Sequence, residues 1–304
     1  MRNHPLRPAM ETTTTSEPGV QAPGGLLLVD KPAGITSHDV VSVVRRAVRT
    51  RRVGHTGTLD PFATGLLVVL VGRGTRLIPY IEGEPKVYDA TIRLGVETDT
   101  DDNTGSIIRE AASPSDAAVA AALSRLTGVI EQLPPAYSAK QIEGRRAYHA
   151  ARKGTPLELS PVRVVVHDWT ILGRRGDELD VRVSCGTGTY IRALARDLGR
   201  LSGSAGHLSA LRRLRSGSFD VSHAVTIADL KAGEFELASL KSAIPSVVER
   251  VLDASEFGRV SHGNAIDARD ETGRVALLSD DGELVAVAER EGAQLRPRLV
   301  LRDA

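Results

Sequence analysis

Alternating apolar and polar residues predict several β-strands in this chain. Every second residue from Tyr88 to Leu94 is apolar, so Lys86–Leu94 is predicted to form a strand with one buried face. Val162–Leu172 and Glu178–Cys185 have the pattern of two paired strands, the second alternating apolar residues with polar neighbours. We therefore expect hairpin-linked strands to form much of the fold.

Two continuous apolar runs predict further buried segments. Regular structure is expected to begin at Gly25, because the following LLLVDKPAG indicates a short buried strand that ends in a Pro/Gly turn. The second run, Leu66–Val71, fits either a buried strand or a short buried helix, since periodicity alone does not separate the two.

Helical spacing and capping signals predict four helices. Ser37 is the expected N-cap of the first, in which apolar residues recur at helical spacing from Val40 to Val48. Ser113 and Pro114 are expected to open the second, which stops at Gly128. The four predicted helices cover about 37–48, 113–126, Gly144–Lys153 and Ile191–Leu201.

The pattern changes after about Ala243 to short strand candidates, which are Val275–Leu278, Leu284–Ala288 and Leu299–Leu301, with a hairpin turn at Asp281-Gly282. Such short β elements predict a small barrel-like appendage. The whole chain mixes hairpin-linked strands with helices, which predicts an α+β fold rather than a doubly wound one. We expect a disordered extension over residues 1–24, a main domain over 25–243 and a small β-rich domain over 244–304.

Composition narrows the class of protein. The 304 residues are 41% hydrophobic, enough for a sizeable core, and no apolar run approaches the ~20 residues needed to cross a membrane. Cys185 is the single cysteine, which excludes a disulfide framework and a cysteine-based zinc cluster. This composition favours a soluble protein of a reducing cytoplasm.

Positive charge is concentrated in two arginine clusters, although the net charge is only +1. The first cluster contains no acid, and Asp197 alone opposes the second. Clusters of this kind favour a footprint for a phosphate backbone. The members are Arg45, Arg46, Arg49, Arg51 and Arg52 in the first and Arg192, Arg196, Arg200, Arg212, Arg213 and Arg215 in the second.

Asp60 is the strongest candidate for chemistry. It lies in GHTGTLDPFATG, a loop rich in glycine and threonine, directly before Pro61. Pro61 fixes its own φ and restricts Asp60 to an extended or turn conformation. The glycines allow a tight turn or a close approach to a ligand. An ordinary turn aspartate is the plainer interpretation of the Asp-Pro pair alone.

The whole string resembles the catalytic motif of the TruB family of pseudouridine synthases, in which the matching aspartate is catalytic. This resemblance implies that Asp60 is the catalytic residue. A second segment, SCGTGTYIRALARDLG, resembles the second signature of the family and contains Tyr190 and Arg192. A guanidinium beside Asp60 would keep the carboxylate ionised and fix its rotamer. A third resembling segment is Gln132–Gly154.

The resemblance also implies a set of substrate-binding residues. Tyr88 in KVYDATIRLG and Tyr190 match active-site tyrosines, and Leu211 matches a leucine that lines the uracil pocket. His55 resembles a histidine that contacts RNA and helps to flip the target base, and Lys31 resembles a residue that could brace the catalytic loop. For each of these, packing or a purely structural role is the alternative.

The fold implied by the resemblance is a pseudouridine synthase fold, with a mixed and mainly antiparallel central sheet flanked by helices. The C-terminal region resembles a PUA-type RNA-binding domain more loosely. The implied reaction isomerises uridine 55 in the T loop of tRNA to pseudouridine in the cytoplasm. It needs no cofactor, metal, membrane or protein partner. Asp60 could attack either the base or the ribose, or act as a base and electrostatic stabiliser.

Three other interpretations compete with this one. Asp99, Asp101, Asn103 and Glu110 have the spacing of a calcium-binding loop, but Thr104 occupies the position that requires glycine. The glycines after Cys185 suggest a dinucleotide turn without its third glycine. A tRNA-binding or tRNA-folding protein without catalysis would carry the same basic clusters, but it has no use for a carboxylate facing phosphates.

Overall fold

The computed structural model describes residues 24–135 and 159–301, and the backbone alone of 141–142 and 145–146. These residues form two compact units. The first unit contains 24–59, 67–82 and 223–301, and the second contains 60–66 and 83–222 with the gaps just given. No helix in the described part of the chain is long and apolar enough to span a membrane.

The strands are numbered in chain order. They are β1 (Gly25–Lys31), β2 (Val53–Thr56), β3 (Thr64–Val71), β4 (Lys86–Leu94), β5 (Val96–Thr98), β6 (Ile107–Glu110), β7 (Gly128–Gln132), β8 (Gln141–Ile142), β9 (Arg145–Arg146), β10 (Val162–Arg175), β11 (Glu178–Cys185), β12 (Gly206–Ser216), β13 (Phe219–Asp220), β14 (Val225–Thr226), β15 (Val248–Val251), β16 (Ile266–Asp267), β17 (Arg274–Leu278), β18 (Leu284–Glu291) and β19 (Gln294–Val300).

The helices of the described residues are short. The α-helices are α1 (Ser37–Ala47), α2 (Asp116–Arg125), α3 (Ile191–Leu201), α4 (Ile227–Ala232) and α5 (Ala254–Ser261). Segments of 3₁₀ helix cover Gly72–Tyr80, Val221–His223 and Lys241–Ala243.

In the second unit, the sheet runs in the order β3, β12, β4, β11, β10, β7. Strand β12 pairs in parallel with the start of β3 and antiparallel with β4, and the remaining pairs are antiparallel. The sheet is therefore mixed and mainly antiparallel, as expected. Helix α3 packs against β12 and buries Leu194 and Leu198, so residues of this helix and of β12 are brought together.

In the first unit, β1 lies between β14 and β3, and β2 pairs with β3. Every residue of β3 after Thr64 is buried, which explains why its sequence is a continuous apolar run and resolves it as a strand. Helices α1 and α4 cover one side of these strands. The core between them consists of Leu27, Val29, Val40, Val41, Val44, Val53, Leu67, Val69, Val71 and Leu230.

The C-terminal part of the first unit contains a five-stranded sheet in the order β15, β17, β18, β19, β16. It has its own apolar core, to which α5 contributes Val260. Arg76 of the 3₁₀ segment donates to the carbonyl of Val300 over 2.6 Å, and Arg73 pairs with Glu283 at 3.3 Å. The fold thus includes the expected β-rich C-terminal region, and the domain boundary at 243/244 stays a prediction.

Several predicted elements are confirmed with their bounds, namely the strands Lys86–Leu94 and Glu178–Cys185 and the helix Ile191–Leu201. The strand predicted over Val162–Leu172 pairs with β11 as expected and extends to Arg175. The predicted helix Gly144–Lys153 lies outside the described residues, except for Arg145–Arg146, which form the strand β9 instead.

The two predicted N-caps are wrong by one or two residues. Thr36, not Ser37, caps α1 in a capping box with Asp39, and this frees the Ser37 hydroxyl for another contact. Ser115, not Ser113, caps α2, because Ser115 has the extended backbone that an N-cap requires.

Strand β12 and helix α5 are among the elements that the sequence did not predict. Strand β12 is interrupted by polar and basic residues, so its sequence lacks a clean alternation. Helix α5 is only eight residues long and contains Gly258.

Gly65 marks the closest backbone approach at the start of β3. It has φ +99°, and a Cβ placed on it would lie 2.2 Å from the carbonyl oxygen of Arg213 on β12. We predict that Gly65→Ala lowers the free energy of unfolding by about 2–4 kcal/mol, because both the left-handed backbone and the overlap are unfavourable. The matched control is Gly173→Ala, whose Cβ would meet nothing within 4 Å; it should change that free energy by about 1 kcal/mol or less. Urea unfolding measures both, and equal effects would contradict the prediction.

Candidate active site

Asp60 follows a residue that is anchored on both sides. The Ser37 hydroxyl accepts a hydrogen bond from the Leu59 amide at 3.0 Å and donates one to the Leu59 carbonyl at 3.2 Å. After Asp60 the chain turns at once, since the Ala63 amide donates to the Asp60 carbonyl at 3.1 Å. These bonds hold the backbone of the motif, and the Asp60 side chain is 35% exposed.

Arg192 binds the Asp60 carboxylate with two hydrogen bonds. Its Nε lies 2.9 Å from Oδ2, and its Nη2 lies 3.0 Å from Oδ1. Arg192 is in the first turn of α3 and its side chain is only 6% exposed. A paired fork of this kind fixes the plane of the carboxylate. The structure therefore brings together the two residues that the sequence singled out first.

The other edge of the Arg192 guanidinium meets the loop 99–105. Its Nη1 donates to the Thr100 carbonyl at 3.1 Å and lies 3.5 Å from the Asp102 carboxylate, which is also buried. The cation thus lies between two carboxylates, only one of which is open to a substrate.

Asp102 is itself held by its own loop. Its carboxylate accepts hydrogen bonds from the Thr100 hydroxyl at 2.7 Å and from the Thr104 amide at 2.9 Å. Its carbonyl accepts one from the Thr98 hydroxyl at 2.7 Å. Sequence reasoning missed Asp102 and Thr100, although the acid-rich string DTDDNTG was noticed as a possible calcium loop.

Tyr88 is buried on β4 opposite Arg213 of β12. Burial raises the pKa of the Tyr88 hydroxyl, and the positive charge of the nearby Arg213 guanidinium opposes that rise. Arg213 is 1% exposed and its Nε donates to the Leu66 carbonyl at 2.7 Å. Its place in a basic run gave no sign that it would be buried.

Tyr190 and Leu211 lie in the same unit as Asp60. Tyr190 is half-buried and immediately precedes α3, where the side-chain amide of Gln132 pairs with its backbone N–H at 2.9 Å and carbonyl at 3.1 Å. Leu211 is buried opposite Ala90, and its carbonyl accepts a hydrogen bond from Thr64 at 3.4 Å. Both residues are thus held by backbone contacts.

Lys31 and His55 belong to the first unit. Lys31 is fully buried, and its Nζ donates to the carbonyls of Pro32 at 2.9 Å and Ile35 at 2.7 Å. His55 is half-buried on β2, and its ring meets the His38 ring edge-on with centroids 6.2 Å apart. Lys31 therefore stabilises the turn that leads into α1.

The arginine clusters divide into exposed and buried members. All five arginines between Arg45 and Arg52 are exposed. In the second cluster, Arg192, Arg196 and Arg213 are buried, so the expected phosphate footprint is wrong for these three. They act inside the protein, as partners of carboxylates and carbonyls.

The matches to known proteins agree with this geometry. Residues 45–191 match the family model described as "TruB family pseudouridylate synthase (N terminal domain)". Residues 192–252 match the model of the "tRNA pseudouridylate synthase B C-terminal domain". The fold, the site and these matches define a pseudouridine synthase, which is an isomerase.

Relatives of known name match almost the whole chain. The protein is 48% identical over 287 residues to tRNA pseudouridine synthase B of Thermobifida fusca, covering 91% of this chain and 98% of that protein. It is 42% identical over 288 residues to the protein of the same name from Mycobacterium tuberculosis, covering 92% and 96%. The chain therefore belongs to the TruB family of pseudouridylate synthases.

Solved structures share the fold at lower identity. A Cbf5-Nop10-Gar1 complex contains a chain with TM-score 0.69 and 24% identity, covering 91% of this chain and 85% of that one. An H/ACA RNP bound to a substrate RNA containing 2'-deoxyuridine contains one with TM-score 0.68 and 23% identity, covering 92% and 85%. These likenesses concern the fold alone.

Removal of Asp102 tests how much the buried side of the site contributes to stability. We predict that Asp102→Ala lowers the free energy of unfolding by about 3–5 kcal/mol, because Arg192 would keep a buried charge with one carboxylate fewer. Asp89 is the matched control, since it pairs with Arg182 through two bonds of 2.7 and 2.9 Å at an exposed place on the sheet. Asp89→Ala should lower that free energy by about 1 kcal/mol or less. Comparable losses in urea unfolding would show that Asp102 does not support the buried cation.

Proposed function

We propose that this protein isomerises uridine 55 in the T loop of tRNA to pseudouridine, with Asp60 as the catalytic carboxylate. The observation that carries the proposal is the two-bond pair between Arg192 and Asp60 at the matched motif. The relatives named tRNA pseudouridine synthase B support tRNA as the substrate. The partly open Asp60 side chain leaves room for a reacting group.

The reaction rearranges bonds within one nucleotide. The bond from the ribose C1′ to N1 of uracil breaks, the base turns, and C1′ bonds to C5 instead. The proton leaves C5 and N1 gains one, so atoms and electrons balance without an oxidant or reductant. Asp60 takes part as a nucleophile at C6 of the base or at C1′, or as a base and electrostatic stabiliser.

A uridine in folded RNA must leave its stack to reach the Asp60 carboxylate, which costs about a few kcal/mol. We assign Tyr88, Tyr190 and Leu211 to the pocket that receives the base. An aromatic ring can stack on uracil and an aliphatic side chain can cover its other face. Asp60 and Arg213 both lie near enough to Tyr88 to shift the pKa of its hydroxyl, which supports the place of Tyr88 in this pocket.

RNA binding is assigned to the first unit as well. We assign to His55 a contact with the flipped nucleotide and its neighbours. We assign to Lys31 the support of the loop that carries Asp60. The exposed arginines from Arg45 to Arg52 provide cations for phosphates. The β-rich C-terminal region, as a PUA-like domain, would add a second RNA contact. We expect the enzyme to act in the cytoplasm without a protein partner.

A tRNA-binding or tRNA-folding protein without catalysis is the alternative. The same basic surface would serve it, and the Asp60–Arg192 pair would then be structural. Pseudouridine formation on an unmodified tRNA transcript distinguishes the two.

Asp60→Asn tests the catalytic carboxylate. The amide keeps the size of the side chain but loses the charge and the nucleophile, so we expect turnover to fall by at least about 10³-fold. Affinity for tRNA should change by less than about threefold, because phosphate contacts dominate it. Pseudouridine mapping on a tRNA transcript and filter binding measure the two quantities.

Asp89→Asn provides the matched control, since Asp89 is a paired carboxylate on the neighbouring strand β4. It should retain near wild-type turnover. Appreciable turnover in Asp60→Asn would contradict the catalytic assignment, and wild-type protein that binds tRNA without product would favour the alternative.

Arg192→Lys tests whether the fork, rather than the charge, is required. Lysine keeps the positive charge but cannot make the two parallel bonds to Asp60. We expect the single-turnover rate to fall by about 10²-fold, because Asp60 would lose its fixed orientation. Arg182→Lys is the control, as Arg182 makes the same two-bond contact to Asp89 away from the site. An unchanged rate in Arg192→Lys would remove Arg192 from the positioning of Asp60.

Two substitutions of Tyr88 separate stacking from proton transfer. Tyr88→Leu removes the ring and should cost about 1–3 kcal/mol of base stacking. Tyr88→Phe keeps the ring and removes the hydroxyl alone. A Phe variant as fast as wild type in single-turnover assays would exclude proton transfer by Tyr88. A folded Leu variant as fast as wild type would place Tyr88 outside the pocket.

A further inference from the structure

Arg196 repeats the arrangement of Arg192 one helical turn later on α3. Its side chain is 7% exposed, and its Nη1 lies 2.9 Å from Oδ2 of Asp101, which is also buried. Its Nε donates to the Asp197 carboxylate at 2.9 Å and its Nη2 to the Leu133 carbonyl at 2.8 Å. Every nitrogen of this guanidinium therefore has an acceptor.

The two arginines bind two successive acids of one loop. Arg192 meets Asp102 and Arg196 meets Asp101. Residues four apart on a helix lie on the same face, so α3 presents two guanidinium groups to the loop 99–105. The position of Asp102 beside Arg192 is thus coupled through one peptide bond to the contact between Asp101 and Arg196.

Asp101 adopts a backbone conformation that needs support. Its φ is +61°, in the left-handed region that side chains other than glycine rarely adopt. Such a residue persists where surrounding contacts determine it. Its carbonyl accepts a hydrogen bond from the Leu208 amide at 3.0 Å, and Arg196 holds its carboxylate. Loss of Arg196 would remove the side-chain half of this support.

The charge of Asp101 is a second reason why its contact with Arg196 matters. Burial raises the pKa of Asp101 to about 6; Arg196, Arg192 and Arg200 favour the charged form and Asp197 disfavours it. Removal of Arg196 would therefore favour the neutral acid at neutral pH. A neutral Asp101 would hold the loop less firmly.

We propose that Arg196 is a positioning residue for the reaction: by clamping Asp101 it fixes the loop that holds Asp102 and Thr100 against Arg192, and so orients the Asp60 carboxylate. This inference rests on the proposed function for its kinetic consequences. Its structural content, the link from Arg196 to the Arg192–Asp60 contact, can be measured without activity.

Kinetics test the effect on the chemical step. With enzyme in saturating excess over tRNA, we expect Arg196→Met to slow single-turnover pseudouridine formation by at least about tenfold, because small displacements of a reacting group have large effects on rate. Affinity for tRNA should stay within about threefold, since Arg196 is buried away from phosphates. Arg196→Lys, which keeps the charge, should recover part of the rate.

Arg174→Met is the matched control. Arg174 belongs to neither arginine cluster, and its guanidinium nitrogens also all have acceptors, in Gly176, Asp116, Ser113 and Pro114, away from the loop acids. Its rate should stay near that of the wild type. A normal rate in Arg196→Met at a temperature where it is folded, or an equal loss in Arg174→Met, would overturn the proposal.

The double variant Arg196→Met/Asp101→Asn tests whether the two residues act through one contact. Residues that act through the same contact are not additive, so the double variant should be about as slow as the slower single variant. Rate losses that multiply would show that Arg196 acts by another route and would overturn the proposal.

A measurement without substrate separates this proposal from the proposed function. The Nε–H signal of Arg192 in a ¹⁵N spectrum, assigned by its loss in Arg192→Lys, reports the bond to Asp60. We expect its exchange with solvent to quicken by about tenfold or more in Arg196→Met and not in Arg174→Met. Unchanged exchange in both variants would overturn the proposal. Wild-type protein that makes no pseudouridine would instead contradict the proposed function, and the exchange data would still decide the role of Arg196.

Discussion

The Arg192 guanidinium, held between the carboxylates of Asp60 and Asp102, is the contact on which the rest of the site depends. A buried cation is costly unless every donor finds an acceptor, so three separate segments must arrive together: the motif loop, the start of α3 and the loop 99–105. One carboxylate is enclosed and satisfied by its own loop, whereas the other is partly open. This difference, rather than any difference in residue type, separates the structural acid from the candidate catalytic one.

Helix α3 joins the hydrophobic core to the chemistry. Leu194 and Leu198 are fully buried against the sheet, while Arg192 and Arg196, on the same few turns, bind the acids of the loop. Packing of the leucines sets the rotation of the helix, and that rotation sets where both guanidinium groups lie. A substitution in this core would therefore act on the site without touching a polar group.

Much of this could be predicted from the sequence, for identifiable reasons. The alternation of Lys86–Leu94 and the spacing of α3 predicted both elements with their bounds, and a second resembling segment pointed to Arg192 as the partner of Asp60. Asp102 could not be found in that way, because a pairing across ninety residues leaves no local pattern. The burial of Arg213 was hidden for a similar reason: its neighbours on β12 are basic, and only the tertiary fold encloses it.

The burial of Arg213 beside Tyr88 also determines the charge that an incoming group meets. A guanidinium carries donors alone, and its positive charge favours the ionised form of a neighbouring phenol. Burial of Tyr88 acts in the opposite direction and has the larger effect, so the pKa of the hydroxyl is raised. At neutral pH a group that enters this part of the unit therefore meets a neutral phenol beside a buried cation, rather than a phenolate that would cancel the charge of the arginine.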